Sequence, residues 1–167
     1  MGEGVNCIHH VVWCIKPESM AGVRALWEEA LGLEMHRVPV TGAGDIADLP
    51  KRLSASRADA LVIATDGLLF NLREPIMHAA ANARLPAVAL LPELADAGAV
   101  ASYGFDLANN YRGLARYIDR IRKGAKPAEL PIEQPTQFEL VLNRKAARAL
   151  GLAIPPALLV RADRMIE

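Results

Sequence analysis

Residues 58–92 (ADALVIATDGLLFNLREPIMHAAANARLPAVALLP) place an apolar strand, a helix and a second apolar strand in direct succession. Residues 60–66 begin as an unbroken apolar run, which is typical of a parallel strand covered on both faces. An alanine-rich helix is predicted over residues 72–83, and the next strand over residues 86–91. A strand, a helix and a strand in this order favour a parallel α/β sheet.

The same alternation extends along the rest of the chain. Further strands are predicted over residues 11–16, 34–40, 99–103 and 138–142, and further helices over residues 20–31, 46–53, 106–123 and 143–150. Asp106 and Asn143 are the expected N-caps of the last two helices. We therefore expect an α/β fold: a Rossmann-like three-layer domain with a mostly parallel sheet, spanning residues 11–167 after an N-terminal extension at residues 1–10.

Composition excludes several classes of function. Lysine plus arginine equals aspartate plus glutamate, at 19 each, so no basic footprint for nucleic acid is present. No apolar run reaches the ~20 residues that would insert in a membrane, and the first ten residues lack the pattern of a secretory signal. Cys7, His9 and His10 lie close together, but no further ligands converge with them. We therefore predict no metal site.

Polar and aromatic residues follow several of the predicted strands, where an open α/β sheet binds its ligands. The candidate ligand-binding residues are Ser19, Thr65, Asp66, Glu93 and Tyr103. None forms an acid–base or nucleophile–base pair, so the pattern predicts binding of a small molecule without catalysis and without a cofactor. Asp66 equally suits a purely structural role as a helix cap.

One alternative would make the chain an enzyme. Gly42 and Gly44 belong to a partial dinucleotide-binding pattern (GAGDIA) that follows a predicted strand, so a nucleotide-dependent enzyme is a rival prediction. The acidic Asp45 and the late Pro50 both disfavour the helix N-terminus that should hold a pyrophosphate.

Two segments carry a specific resemblance to a known family. The runs ADALVIATDGLLF and YIDRIRKGAKPAELPIEQPTQFELVLNRKAARALGLAIP closely resemble the ABC-transporter substrate-binding protein family that includes tryptophan- and tyrosine-binding members. The resemblance covers about residues 11–167. It implies a type I periplasmic-binding-protein fold, in which two Rossmann-like lobes trap a small solute and deliver it to an ABC permease.

The resemblance assigns roles to individual positions. Thr65 and Asp66 match a pair that faces the cleft, Glu93 matches a loop near the cleft, and Tyr103 lies near the hinge. Residues 105–135 resemble the hinge and the segment that returns to the first lobe. The chain is expected to hold mainly the C-terminal lobe, because members of the family are about twice as long.

That expectation has consequences for partners and location. The amphipathic helix at residues 106–123 would lack its usual partner, so we expect a homodimer or pairing with a separately encoded first lobe. A truncated remnant or a protein-interaction module that uses this helix is the other alternative. The family is periplasmic, whereas this chain shows no export signal, so the sequence leaves the localisation open.

Overall fold

A seven-stranded sheet forms the centre of the computed structural model, which describes residues 10–15, 34–64, 66–132 and 137–167. The strands lie in the order β2-β1-β3-β4-β5-β6-β7. Their bounds are β1 His10–Ile15, β2 Glu34–Pro39, β3 Ala60–Ile63, β4 Ala87–Ala89, β5 Ala101–Phe105, β6 Phe138–Asn143 and β7 Arg164–Ile166.

Helices connect these strands in the described ranges. They are α1 Leu49–Ala55, α2 Gly67–Asn71, α3 Arg73–Asn82, α4 Pro92–Asp96, α5 Leu107–Arg122, α6 Arg144–Ala149 and α7 Pro156–Arg161, with short 3₁₀ turns at Ala43–Ile46 and Pro127–Glu129. The helix predicted over residues 20–31 lies outside the described residues, as do residues 1–9 of the extension predicted at residues 1–10. The last residue of that extension, His10, instead begins β1.

Strands β1 to β5 are parallel, and the last two strands run the other way. Ser102 of β5 pairs with Ala89 of the parallel β4 and with Val141 of the antiparallel β6. Phe105, the last residue of β5, pairs with Phe138, the first residue of β6. The chain therefore leaves the sheet and re-enters it at the same edge. The predicted α/β fold with a mostly parallel sheet is confirmed.

The core lies between one face of the sheet and helices α1, α3 and α4. Leu61 and Ile63 of β3 and Ile76 of α3 are almost fully buried, at 0%, 1% and 0% exposure. Complete burial of such an aliphatic side chain contributes about 1.5–3 kcal/mol. Leu69 of α2 joins the same cluster at 0% exposure, so the segment around residues 58–92 supplies much of the core.

Helix α5, unlike the core helices α1, α3 and α4, keeps its large apolar side chains in solvent. Asp106 caps it as predicted, since its Oδ1 accepts a hydrogen bond from the Ala108 amide at 2.8 Å. The exposed side chains are Tyr111, Leu114, Ile118 and Ile121, at 64%, 50%, 60% and 43% exposure. These four residues, spaced three or four apart, form one face of the helix. We call this face the apolar stripe.

Several predicted boundaries move in the structure. The helix predicted over residues 72–83 is confirmed as Arg73–Asn82, but the short helix Gly67–Asn71 before it was not predicted. The two helices meet at Leu72, whose φ and ψ of −96° and 13° leave the helical region. The predicted fifth strand at residues 99–103 is shifted to Ala101–Phe105. Strand β7 at Arg164–Ile166 was not expected, because its three residues become a strand only by pairing with β6.

Candidate functional site

The carboxyl ends of β3, β4 and β5 lie side by side at one edge of the sheet, which we call the carboxyl edge. Asp66 follows β3 and is the N-cap of α2. Its Oδ1 accepts a hydrogen bond from the Leu68 amide at 2.8 Å, and its carbonyl accepts one from the Phe70 amide at 2.9 Å. Asp66 therefore has the structural role of a cap, and its carboxylate is held in a fixed position at the carboxyl edge.

A shallow hollow, too narrow to admit a water molecule, lies between the ends of β3 and β4. Among the described residues that line it, Asp66 is the only charged one, and the others are Ile63, Ala64, Phe70, Leu90, Leu91 and Leu94. A single carboxylate beside an apolar wall suits a ligand that carries an ammonium group and an apolar body. Because the hollow has no room for a water molecule, such a ligand would rest against its rim rather than enter it.

Gly104 brings β5 close to this hollow. A Cβ atom built on Gly104 would lie 1.7 Å from the Leu90 carbonyl oxygen, which is far inside van der Waals contact. Only glycine allows this approach, and Leu90 is also part of the wall of the hollow. A glycine inside a strand often marks a place where another backbone approaches closely. Gly104 could therefore have indicated this contact from the sequence alone.

Glu93 lies in the first turn of α4, directly after the end of β4. Its Oε2 is buried and has no hydrogen-bond partner in the described part of the chain. The Ser102 hydroxyl oxygen, on the sheet face that α4 covers, is also buried and also has no hydrogen-bond partner in the described part of the chain. The first turn of a helix favours a carboxylate, but the buried Oε2 still has no donor among the described residues, which is costly.

Tyr103 lies apart from Glu93. Side chains alternate along a strand, so Tyr103 is on the opposite face of β5 from Ser102 and Gly104. Its ring stacks on Phe138 with 5.8 Å between ring centroids, and the two side chains are 56% and 51% exposed. The stack stands where the chain leaves the sheet for α5 and returns from it.

The two other predicted site residues, Ser19 and Thr65, lie outside the described residues. The structure thus brings Asp66 and the loop before Glu93 together at the carboxyl edge. Tyr103 lies on the face of the sheet opposite Ser102 and Gly104. Sequence reasoning missed Phe70 and Leu90, which line the hollow, because nothing local distinguishes them from core residues.

The Gly42 loop has a geometry that disfavours a nucleotide. Residues Ala43–Ile46 form a 3₁₀ turn rather than a helix start. The Asp45 carboxylate accepts hydrogen bonds from the Thr41 amide at 2.6 Å and the Thr41 hydroxyl at 2.8 Å. These bonds, the amide first, lower the pKa of Asp45. An anion therefore already occupies the donors that a phosphate would need, and would repel it.

Two further features are lacking in the described ranges. No group of three or more histidine, cysteine, aspartate or glutamate side chains is placed there to hold a metal ion. No helix there combines the length and the apolar character needed to cross a membrane.

The fold is that of a Rossmann-like lobe with a mostly parallel sheet. The family model described as ABC transporter substrate binding protein matches residues 17–166. The chain therefore belongs to the ABC transporter substrate-binding protein family, as its resemblance implied. No curated protein sequence matches it.

Solved structures show the same fold. A conserved domain protein from Vibrio cholerae superimposes with a TM-score of 0.84 at 24% identity, covering 95% of this chain and 55% of that one. An ABC domain from Streptococcus pneumoniae, in complex with L-Trp, gives 0.81 at 20% identity, covering 95% and 55%. The open, ligand-free structure of a substrate binding protein with adhesive properties from Clostridium difficile gives 0.63 at 17% identity, covering 89% and 52%. The chain thus spans about half the length of each.

Proposed function

We propose that this chain is one lobe of the solute-binding component of an ABC transporter and that it binds a small molecule such as an amino acid without catalysis. The observation that carries the proposal is the fixed Asp66 carboxylate, the only charge among the described residues that line an otherwise apolar hollow. Membership of the substrate-binding family supports it. The L-Trp complex of one structural neighbour supports an amino acid as the class of solute.

Asp66 would pair with the ligand ammonium, while Phe70 and Leu90 would contact its apolar body. Thr65, Ser19 and Glu93 are proposed as further polar contacts around the same ligand, and Tyr103 as a contact near the hinge. Residues 105–135 would be the hinge and return segment of a two-lobed receptor, and an ABC permease would be the partner that accepts the solute. A ligand held from one side only should bind far more weakly than an enclosed one, since each 1.4 kcal/mol is about tenfold in affinity.

A thermal-shift screen with amino acids tests this proposal. A ligand that binds only the folded state raises the melting temperature by mass action. We expect an amino acid to raise it and the N-acetylated form of the same amino acid, which lacks the ammonium, to leave it unchanged. Equal shifts from both forms, or no shift from any amino acid, would contradict the proposed site.

A pair of matched variants isolates the Asp66 charge. Asparagine caps a helix as well as aspartate does, so Asp66→Asn should keep the fold and remove only the charge. Asp106→Asn makes the same change at the cap of α5, far along the chain, where the bond to Ala108 is also 2.8 Å. The amino-acid shift should disappear in Asp66→Asn and persist in Asp106→Asn.

The apolar stripe on α5 favours a second, compatible role in protein association. Four large apolar side chains on one helix face, all more than 40% exposed, need a covering surface. We propose that this surface comes from a second copy of the chain. Sedimentation velocity should show a concentration-dependent dimer that Ile118→Glu dissociates and Arg120→Glu, on the polar side of the helix, leaves intact.

A further inference from the structure

A groove of about 530 Å³ opens at the edge of the sheet opposite the carboxyl edge. It lies between the C-terminal half of α3, the loop that follows α4, helix α6 and the end of β7. Because β6 is antiparallel to β5, its last residue Asn143 lies at the edge where the parallel strand β4 begins with Ala87. The groove is therefore separate from the Asp66 hollow and independent of the function proposed there.

The described walls of the groove are mainly apolar. Its aliphatic lining includes Met77, Leu85, Ala87, Ala146, Leu150 and Ile166. Small alanine side chains leave the open volume, which falls in the range of small-molecule sites. The side chain of Asn143, the buried amide in this wall, is already used by the Ala95 carbonyl and the Ala146 amide, each at 2.8 Å. The walls thus offer contact to an apolar body.

Two positively charged side chains, those of Arg84 and Lys145, line the groove. Neither side chain makes a hydrogen bond or an ion pair with the described residues. Asp96 is the only acidic residue among the described lining residues, and its two oxygens are bound by Arg164 at 2.7 and 3.1 Å. The guanidinium of Arg164 therefore neutralises Asp96, and the groove has a net positive rim over an apolar floor.

Arg84 also has an unusual backbone. It follows the end of α3 with a φ of +52°, in the left-handed region that glycine prefers at this position of a helix end. Its amide donates to the Ala81 carbonyl, and the Leu85 amide donates to Ala80. Arg57 has the same φ of +52° after α1 but does not line the groove. Arg57 can therefore serve as a control for Arg84, because only Arg84 could contact a ligand in the groove.

We propose that this groove is a second binding site, and that its ligand is a small amphipathic anion with one carboxylate and an apolar body. The carboxylate pairs with Arg84 and Lys145 at the rim, and the apolar body lies on the alanine and leucine floor. A cation of the same shape is repelled by the rim, and a neutral molecule of the same shape loses the charged contact.

Isothermal titration calorimetry with phenylbutyrate, phenylbutanol and phenylbutylamine on the whole chain tests the proposal. Phenylbutyrate should bind at least about tenfold more tightly than the alcohol, the gain expected from a charged hydrogen bond. The amine should not bind. In ¹H–¹⁵N NMR spectra, the amides of Ala81, Gly98 and Ala146 should shift with phenylbutyrate. Equal binding of the three compounds, or shifts elsewhere only, would overturn the proposal.

Glycine variants separate the charge from the fold. Arg84→Gly removes the cation and suits the left-handed φ, so the protein should remain folded with an unchanged or higher melting temperature. Its affinity for phenylbutyrate should fall about tenfold, whereas Arg57→Gly should bind as the natural chain does. Lys145→Gln, like Arg84→Gly, should lower the affinity for phenylbutyrate. Unchanged affinity in Arg84→Gly would refute the assigned role of Arg84 and, with it, the site.

Discussion

Helices α3 and α5 both have an apolar face, but only α3 is covered. Ile76 of α3 is 0% exposed and lies in the main core, while Ile118 of α5 is 60% exposed. The cause is the position of each helix in the topology. Helix α3 lies in the crossover between the parallel strands β3 and β4, and such a crossover packs on the sheet. The connection that contains α5 joins β5 to the antiparallel β6, so it leaves and re-enters the sheet at the same edge and nothing requires it to cross the sheet.

The largest expected effect on stability comes from a substitution in the buried part of the sheet. Gly104→Ala would place a Cβ atom 1.7 Å from the Leu90 carbonyl oxygen, a backbone atom that cannot move without shifting the strand end. We expect a loss of about 3 kcal/mol or more in the free energy of unfolding, at the upper end of the costs of overpacking. Urea denaturation measures it, and a loss below about 1 kcal/mol would contradict the close approach of the two strands.

Truncation of one isoleucine in each helix compares the two faces directly. Ile76→Ala should cost about 2–5 kcal/mol because it leaves a cavity in the core. Ile118→Ala should change stability by no more than about 0.5 kcal/mol in the monomer, because its side chain is exposed. Denaturation at low protein concentration is the measurement. A large cost at Ile118 that grows with concentration would show that the stripe is covered by association.

Replacement of a second glycine, Gly113 in α5, by alanine should raise the stability that Gly104→Ala lowers. A Cβ atom on Gly113 would meet nothing closer than the Arg116 side chain at 3.9 Å. Gly113→Ala should therefore raise stability by about 1 kcal/mol, the difference in helix propensity. A decrease of that size, measured by urea denaturation, would mean that a backbone or side chain packs against Gly113 in solution.

The smallest expected effect concerns the exposed Asp45. Its pKa is lowered by the Thr41 hydrogen bonds, so its stabilising contribution is present above the ordinary aspartate pKa and is lost as the pH falls through the lowered value. Melting curves across acidic pH should show Asp45→Asn less stable than the natural chain near neutrality and equal to it at the acid end. A difference that stays constant with pH would contradict this account.

The sequence predicted those features whose signals are local. Asp106 and Asn143 cap α5 and α6 as expected, because a cap depends on a side chain and an amide two or three residues away. The central position of β3 was predicted correctly because its apolar run requires cover on both faces. The exposure of the apolar stripe was foreseen from the family resemblance rather than from its spacing, since the same spacing in α3 is buried.

Features that depend on segments far apart in the sequence could not be predicted from local signals. Strand β5 begins later than expected, at Ala101, and the amide of the preceding Val100 bonds to Ala87 of the neighbouring β4 segment. The buried oxygen of Glu93 depends on how α4 packs against the sheet. The groove around Arg84 forms only when α3, α6 and β7 meet, and no single stretch of sequence contains that information.

The central claim is that a solute binds at the carboxyl edge, and an NMR titration with the pooled standard amino acids tests it most directly. We predict that the amides of Leu68, which donates to Asp66, and of Leu91, in the wall of the hollow, shift with increasing ligand. The same amides should not respond in Asp66→Asn. Shifts confined to α5 or to the groove around Arg84, or no shifts at any concentration, would contradict the claim.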